Sequence, residues 1–430
     1  GFHEQYSKQK SMYWMNQVIL LILLVSLYLI TEIKSYSLGV QSHFNQNNGW
    51  IIVRISNTHS LSSNCCSSHL SFSSSLNDSS NMYYWRDGIN YSVLCDRINK
   101  MISNPNSFEI IHDGFNGGLG HKFISIYHSL SYAIVTGRRF YLNIAPSIWN
   151  VTSSCFIDHR YVDQVTTHAI YPNHTRLTNK ECYEGCIRKR SNEMCEGENT
   201  IEGILGDGNV VLYDCRMNHS IIHSPFTLQT LKNHQILSFN QSIPDYQQII
   251  YRLLLNPSPY LQHQLNQFKK QHFIRKHVAG IQIRMGGCLA NYQEYAEMMS
   301  FDELKRLPSF IQSTIKQFNF NPSDTVLFLS TDSDYAEKWI RESLKDEYLI
   351  VTSTLFERSH TRGITKNDAT QGALFDMILL SDCDGLITCQ QSGFGRVASS
   401  LSSSIHQRIY RVTHSPAIHF NLTTRSCNQF

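Results

Sequence analysis

The chain reads as an α/β protein built on parallel, doubly wound sheets, and three features of the sequence predict it. Phe108–Asn143 runs strand, glycine-rich loop, helix, strand, the opening of a parallel domain. Val326–Ser330, Val-Leu-Phe-Leu-Ser, is a continuous apolar run of the kind found in a strand covered on both faces. From Val278 to Leu401 the segments alternate β-α-β-α-β-α-β-α, which calls for crossover connections and a second doubly wound sheet. A length of 430 residues accommodates two such domains. A net charge of +3 with no long basic run argues against nucleic acid as a partner.

In chain order, residues 1–11 read as a cytosolic tail and 12–33 as a membrane signal anchor. Val18–Ile30 carries no charge, Tyr13 and Trp14 suit a membrane interface, and Lys8 and Lys10 favour a cytosolic N-terminus. The apolar run is short beside the ~20 residues that span a bilayer, so a cleaved signal peptide is the rival reading. Thr31-Glu-Ile-Lys34 is a poor cleavage site, which favours the anchor. Either way the remainder enters a secretory lumen. Seven Asn-x-Ser/Thr sequons, at Asn77, Asn90, Asn150, Asn173, Asn218, Asn240 and Asn421, agree with that. So does the cysteine cluster at Cys155, Cys182, Cys186, Cys195 and Cys215, for which disulfides are the default in an oxidising lumen. Cys182 and Cys186 could open a zinc site, but no paired His spacing completes one.

Residues 34–104 read as a stem. Twelve of the twenty-five residues from Ser56 to Ser80 are serine, a composition that cannot offset the entropy of ordering. The first domain then covers 105–270. Its helix, Phe123–Val135, places Phe123, Ile126, Tyr127, Leu130, Ala133 and Ile134 on one broad face, and Gly137 ends it. The loop Gly118-x-Gly120 lacks a third glycine, since position 123 is Phe, and it has no Gly-Lys-Ser/Thr ending. It therefore misses both the dinucleotide and the P-loop patterns. What it offers is either a helix N-terminus that attracts anions or a glycine turn packed closely on the sheet. Beyond Cys155 the sequence is irregular until helices at Asp245–Leu255 and Tyr260–Phe268.

The second domain, 271–430, begins with the strand Val278–Arg284. A helix follows over Phe301–Phe318, then the strand at Val326, a helix over Tyr335–Leu344 and a strand over Tyr348–Thr352. The helix Gln371–Ser381, the strand Leu386–Cys389 and the helix Ser392–Leu401 complete the set. Three residues stand where strands end and such sheets bind ligands: Arg284, Asp332 and Ser392. A guanidinium presents a planar fork that fits phosphate oxygens bidentately. Ser392 with the Gly393 and Phe394 amides would form an anion nest at a helix start. Asp332 could accept from a purine N–H or a ribose hydroxyl, or could merely cap the following helix. Together they describe a nucleoside-diphosphate site that needs no metal.

These segments resemble the fucosyltransferase superfamily, which includes core alpha-1,6, nodulation, plant xyloglucan and protein O-fucosyltransferases. The resemblance rests on Gly117-Gly-Leu-Gly-His-Lys122, Thr136-Gly-Arg-Arg139, Gln282-Ile-Arg284 and Leu329-Ser-Thr-Asp332. It also rests on Ala373–Asp384 and Ser392-Gly-Phe-Gly-Arg-Val-Ala398. It implies a GT-B-like fold, two Rossmann-like doubly wound domains facing a cleft, with GDP-fucose in the C-terminal one. It further implies that Arg284 neutralises the β-phosphate, that Asp332 contacts guanine or its ribose, and that Ser392, Gly393 and Phe394 line the pocket. Gly120 and His121 would face fucose and phosphate from the other domain, and Gly118, Gln282 and Ser333 complete the implied donor-binding set. Gln282 stands where several relatives carry His, Met285 replaces a second Arg of the core alpha-1,6 enzymes, and His121 sits where many relatives have Asn. Those departures lean toward the xyloglucan-type strand and leave the acceptor open.

The expected activity is inverting, metal-independent transfer of fucose from GDP-fucose to a glycan or glycoprotein, with no cofactor, by a single-pass type II protein of the Golgi or ER. Charge builds on the leaving diphosphate, so a fixed Arg stabilises the transition state more than the ground state. If a side-chain base takes the acceptor proton, the candidates are Glu294 and Asp113, though a solvated surface charge is the more ordinary reading of either. Rival readings are another nucleotide-sugar transferase and an inactive, membrane-tethered glycan-binding relative.

Overall fold

The computed structural model describes residues 39–45, 50–56, 91–103, 107–113, 118–143, 158–159, 175–178, 209–213, 225–237, 242–286, 296–356, 367–389, 392–402, 409–412 and 418–419. The apolar run at 18–30, the serine-rich segment, the five clustered cysteines and Glu294 lie outside them. Among the described residues no helix is long and apolar enough to cross a membrane.

The stretch read as an unstructured stem contains two ordered pieces. Strands β1 (Gly39–Asn45) and β2 (Trp50–Ser56) form an antiparallel hairpin, in register from Gly39↔Ser56 to Asn45↔Trp50. Ile51, Ile52, Val53 and Ile55 supply the β-branched residues that favour pleated pairing. Helix α1 (Tyr91–Ser103) buries Leu94, Ile98 and Met101 at i, i+4 and i+7. Its Arg97 donates through Nε and Nη2 to the carbonyls of Ile134 and Val135, 3.0 Å each. The first domain therefore takes in residues read as tether, because a helix with an apolar face found a partner.

The N-terminal sheet is wholly parallel, in the order β5-β4-β3-β7-β6. Its strands are β3 (Glu109–Asp113), β4 (Arg139–Asn143), β5 (Asp158–His159), β6 (Thr175–Thr178) and β7 (Val210–Tyr213). Helix α2 (Leu119–Thr136) links β3 to β4 and ends on Gly137, whose φ of 70° is the left-handed cap the sequence predicts. The helix differs from expectation in its burial. Lys122, Ser125, His128, Ser129 and Ser131 are buried along with the apolar face, so the helix is enclosed nearly all round. It lies between the sheet on one side and later helices on the other, and those later contacts leave no trace in local periodicity.

Helices α3 (Pro225–Asn233), α4 (Ile243–Leu254) and α5 (Pro259–His272) lead into the second sheet. That sheet is also parallel, in the order β11-β10-β8-β12-β13. Its strands are β8 (His277–Ile283), β10 (Thr325–Thr331), β11 (Leu349–Val351), β12 (Gly385–Cys389) and β13 (Ile409–Val412). Strand β9 (Ala296–Glu297) lies outside it, paired antiparallel with β14 (Ile418–His419). All of β10 and β12 is buried, as the apolar run at Val326 requires.

Helices α6 (Phe301–Gln317) and α7 (Asp334–Leu344) bring Leu304, Leu307, Ile311, Ile315, Ala336 and Ile340 into one core with Ile281, Ile283, Leu327 and Leu329. Ser300 and Glu303 close α6 with a reciprocal capping box. Elsewhere in this domain Phe268 of α5 meets Phe328 and Phe375, both edge-on at 5.7 Å, the latter from α8 (Asn367–Ser381). The last helix, α9 (Gly393–Leu401), packs on α8, α2 and α4. Gln248 and Arg252 of α4 donate to the Leu401 carbonyl at its C-terminus, at 3.1–3.2 Å.

Candidate functional site

Strand order locates the crevice. From β8 the chain moves outward through β10 and β11, then crosses back to β12 and β13 on the other side. The switch point therefore lies between β8 and β12, where an open parallel sheet binds ligands beyond its carboxyl ends.

Register then brings two charged residues together. Ile283 lies opposite Thr331 in the parallel β8–β10 pair, so Arg284 and Asp332 leave the sheet side by side. Arg284 Nη1 meets Asp332 Oδ2 at 3.2 Å. The carboxylate also accepts from two backbone amides, Met285 N to Oδ1 at 2.8 Å and Gly286 N to Oδ2 at 3.1 Å. Charge-assisted hydrogen bonds of this kind contribute roughly 1.5–3 kcal/mol each. The Asp332 side chain is 4% exposed and that of Arg284 22%, so the carboxylate is enclosed while the arginine side chain stays partly open. The resemblance sets Asp332 beside a purine or a ribose, and within the protein its described contacts run to the Arg284 strand end. It is not the helix cap. Ser333 caps α7, its Oγ accepting from Ala336 N at 3.2 Å, and its complete burial commits it to that.

The other wall is the start of α9. Ser392 is its N-cap, with Oγ accepting from Gly395 N at 3.3 Å. Gln282 is 5% exposed, and its Oε1 accepts from Cys389 N at 3.3 Å, which ties β8 to the end of β12. A Cβ on Gly395 would lie 2.8 Å from that same oxygen, so Gln282 also supports the first turn of α9. Cys389 approaches the Arg284 carbonyl with its thiol at 4.0 Å. Burial pushes that thiol up to about 12, so it stays protonated and able to donate. Sequence reasoning passed over Cys389, because a cysteine within a strand carries no sign of what its register will place beside it.

The glycine loop of the first domain meets α9 directly. A Cβ on Gly120 would lie 2.2 Å from Phe394 N and 2.3 Å from the Gly393 carbonyl carbon, so backbone approaches backbone there. The His121 ring lies over Gly393, with ring atoms 3.1 Å from where its Cβ would be. Gly118 begins α2 as its N-cap and accepts from Lys122 N at 3.1 Å. The close-packing alternative thus describes Gly120 well, except that its partner is a helix of the other domain rather than its own sheet. Asp113 closes β3 in register with Asn143 and Tyr213.

Lys122 closes the glycine motif, but local sequence assigns it no role. It is 4% exposed in the first turn of α2, and desolvation lowers its pKa to about 8. A lysine at that position reads as solvated until the packing of the second domain is known. Among the described residues no group of acidic, His and Cys side chains could hold a metal ion.

Comparison with known proteins agrees with the second domain. Residues 242–412, from α4 through β13, match the family model of nodulation protein Z (NodZ). The resemblance read from the sequence is borne out over that segment, which holds Arg284, Asp332 and the start of α9. No curated protein sequence matches the chain. Among solved structures it is similar to a variant of FUT1 of Arabidopsis thaliana in complex with GDP, at 14% identity over 74% of this chain and 72% of that one, with a TM-score of 0.48. It is similar to the fucosyltransferase NodZ from Bradyrhizobium at 15% identity, over 69% of this chain and 94% of that one, with a TM-score of 0.40. POFUT1 in complex with GDP gives 11% identity over 72% and 98%, with a TM-score of 0.39.

Proposed function

We propose that the chain is a glycosyltransferase that moves fucose from GDP-fucose to a glycan or glycoprotein acceptor. The observation that carries this reading is the Arg284–Asp332 pair, whose arginine ends the strand that borders the switch point of the second sheet, within the segment that matches the NodZ family model. The first turn of α9, with Gly120 and the His121 ring packed on it, flanks the same strand ends, so a diphosphate bound there would meet the Arg284 guanidinium near a helix N-terminus.

Glycosyl transfer passes through an oxocarbenium-like transition state while negative charge gathers on the departing diphosphate. Arg284 is held before the substrate arrives, so it stabilises that charge without reorganising. Displacement by the acceptor from the opposite side inverts the anomeric carbon. The cationic side chain and the helix amides supply the positive charge, and the mechanism calls for no metal. A carboxylate takes the acceptor proton, Glu294 or Asp113 being the candidates. The apolar run near the N-terminus supports a type II anchor that leaves this site in the Golgi or ER lumen, within a GT-B-like pair of domains.

Incubation of the protein with labelled GDP-fucose, GDP-mannose and UDP-sugars tests the proposal. Donor cleavage with GDP-fucose alone is the expected result. Turnover of a different donor, or saturable glycan binding without any turnover, overturns it.

A further inference from the structure

We infer that Asp332 is a positioning residue, acting on the donor through Arg284 rather than by touching the nucleotide. The inference rests on the proposed transfer from GDP-fucose and adds to it a division of labour between the two charges. Three contacts converge on one carboxylate: the Met285 amide, the Gly286 amide and the Arg284 guanidinium. The two amides fix the turn that leaves β8, and the ion pair sets the guanidinium on the same frame. With 4% of its side chain exposed, Asp332 presents almost no surface to a ligand, whereas Arg284 at 22% does. The Cys389 thiol at the Arg284 carbonyl and the Gln282 bridge to β12 brace the same strand end from the other side. An arginine on an unbraced loop would lose rotamer freedom on binding, and the pre-formed pair removes that cost.

A double-variant cycle tests this on the full chain, using Arg284→Ala, Asp332→Asn and both together. GDP affinity is read by calorimetry and turnover with GDP-fucose. Each single variant should weaken GDP roughly 10–100-fold, as loss of a buried orienting or charge-paired partner does. The double variant should be no weaker than Arg284→Ala alone, with kcat falling while the acceptor KM stays within about twofold. Losses that multiply would mean that Asp332 meets the nucleotide itself, and they overturn the inference.

Chemical rescue supplies a readout that survives misfolding of the Asp332 variant. In Arg284→Ala, added guanidinium should restore turnover saturably and methylammonium should not, because the carboxylate offers a seat for a planar fork. Rescue that is absent or non-saturable overturns the inference. The cycle is also read in thermal stability without nucleotide, where strictly additive losses overturn the pairing whatever the donor. A wild-type chain that neither binds GDP nor turns over GDP-fucose defeats the functional reading instead, and the stability cycle still judges the coupling.

Discussion

The backbone of Gly120 rests on the backbone of Phe394, so close that a Cβ on Gly120 would lie 2.2 Å from the Phe394 nitrogen. The two residues begin helices that follow different sheets, α2 after β3 and α9 after β12. Each sheet turns back on itself at its first strand, with β3 between β4 and β7 and β8 between β10 and β12. The contact therefore joins the switch-point regions of the two domains. Helix α4 holds the far end of α9 through Gln248 and Arg252, and its Tyr246 and Tyr251 lie against Tyr127 of α2 at 6.3 and 5.0 Å. Helix α9 is thus held at both ends by helices of the first domain.

That geometry makes Gly120→Ala a severe substitution. The nearest atoms are backbone, which cannot swing aside as a side chain can, so α2 and α9 must separate. Overpacking of this kind costs about 1–3 kcal/mol or more. A fall in Tm of several degrees, with loss of nucleotide binding, is expected in a thermal melt run with and without GDP. Gly393→Ala should be milder, because the crowding atoms belong to the His121 ring, which can turn. Equal tolerance of both substitutions would contradict the interlock.

Much of the second domain was legible because its signals are local. Continuous apolar strands and strand-end residues at Arg284, Asp332 and Ser392 need no knowledge of distant chain. What the sequence hid depends on register and on packing between domains. Nothing near Asp332 says that the Met285 and Gly286 amides will claim its oxygens, since that follows from the alignment of β8 with β10. Lys122 and Ser131 look solvent-facing until α4 and α9 cover α2. Strand β13 went unread because Ile409–Val412 is short and holds an arginine, and only pairing with β12 makes it a strand.

A buried histidine gives the fold a definite acid sensitivity. His112 is fully buried, its Nδ1 lies 2.9 Å from Ser129 Oγ, and that hydroxyl donates to the Ser125 carbonyl at 3.1 Å. The ring Nε2 has no hydrogen-bond partner among the described residues. Burial lowers the pKa from 6.5 to about 3. The unfolded chain therefore takes up a proton here below about pH 6.5 that the folded chain refuses. The stabilising contribution is complete above pH 6.5 and is lost progressively as pH falls toward 3. Over that window one such group costs about 1.4 kcal/mol per pH unit. In urea melts across pH 4–7, His112→Asn should lose one proton's worth of the slope seen in wild type. An unchanged slope would show that His112 is not the group responsible.

Arg284→Lys separates charge from shape. A lysine keeps the positive charge and can still reach toward Asp332, so the turn after β8 has its counter-charge and the fold should persist. What disappears is the planar fork that holds a carboxylate and phosphate oxygens on one rigid frame. If the donor diphosphate is gripped bidentately as it departs, the interaction lost belongs to the transition state more than to the ground state. Then kcat should fall roughly 10²–10³-fold, the usual cost of removing a preorganised charge-stabilising donor. GDP-fucose KM should change much less, and the Tm should stay within a few degrees of wild type. Steady-state kinetics beside a thermal melt checks all three. A rate close to wild type would show that a point charge is enough there, and the assigned role of the guanidinium would have to be given up.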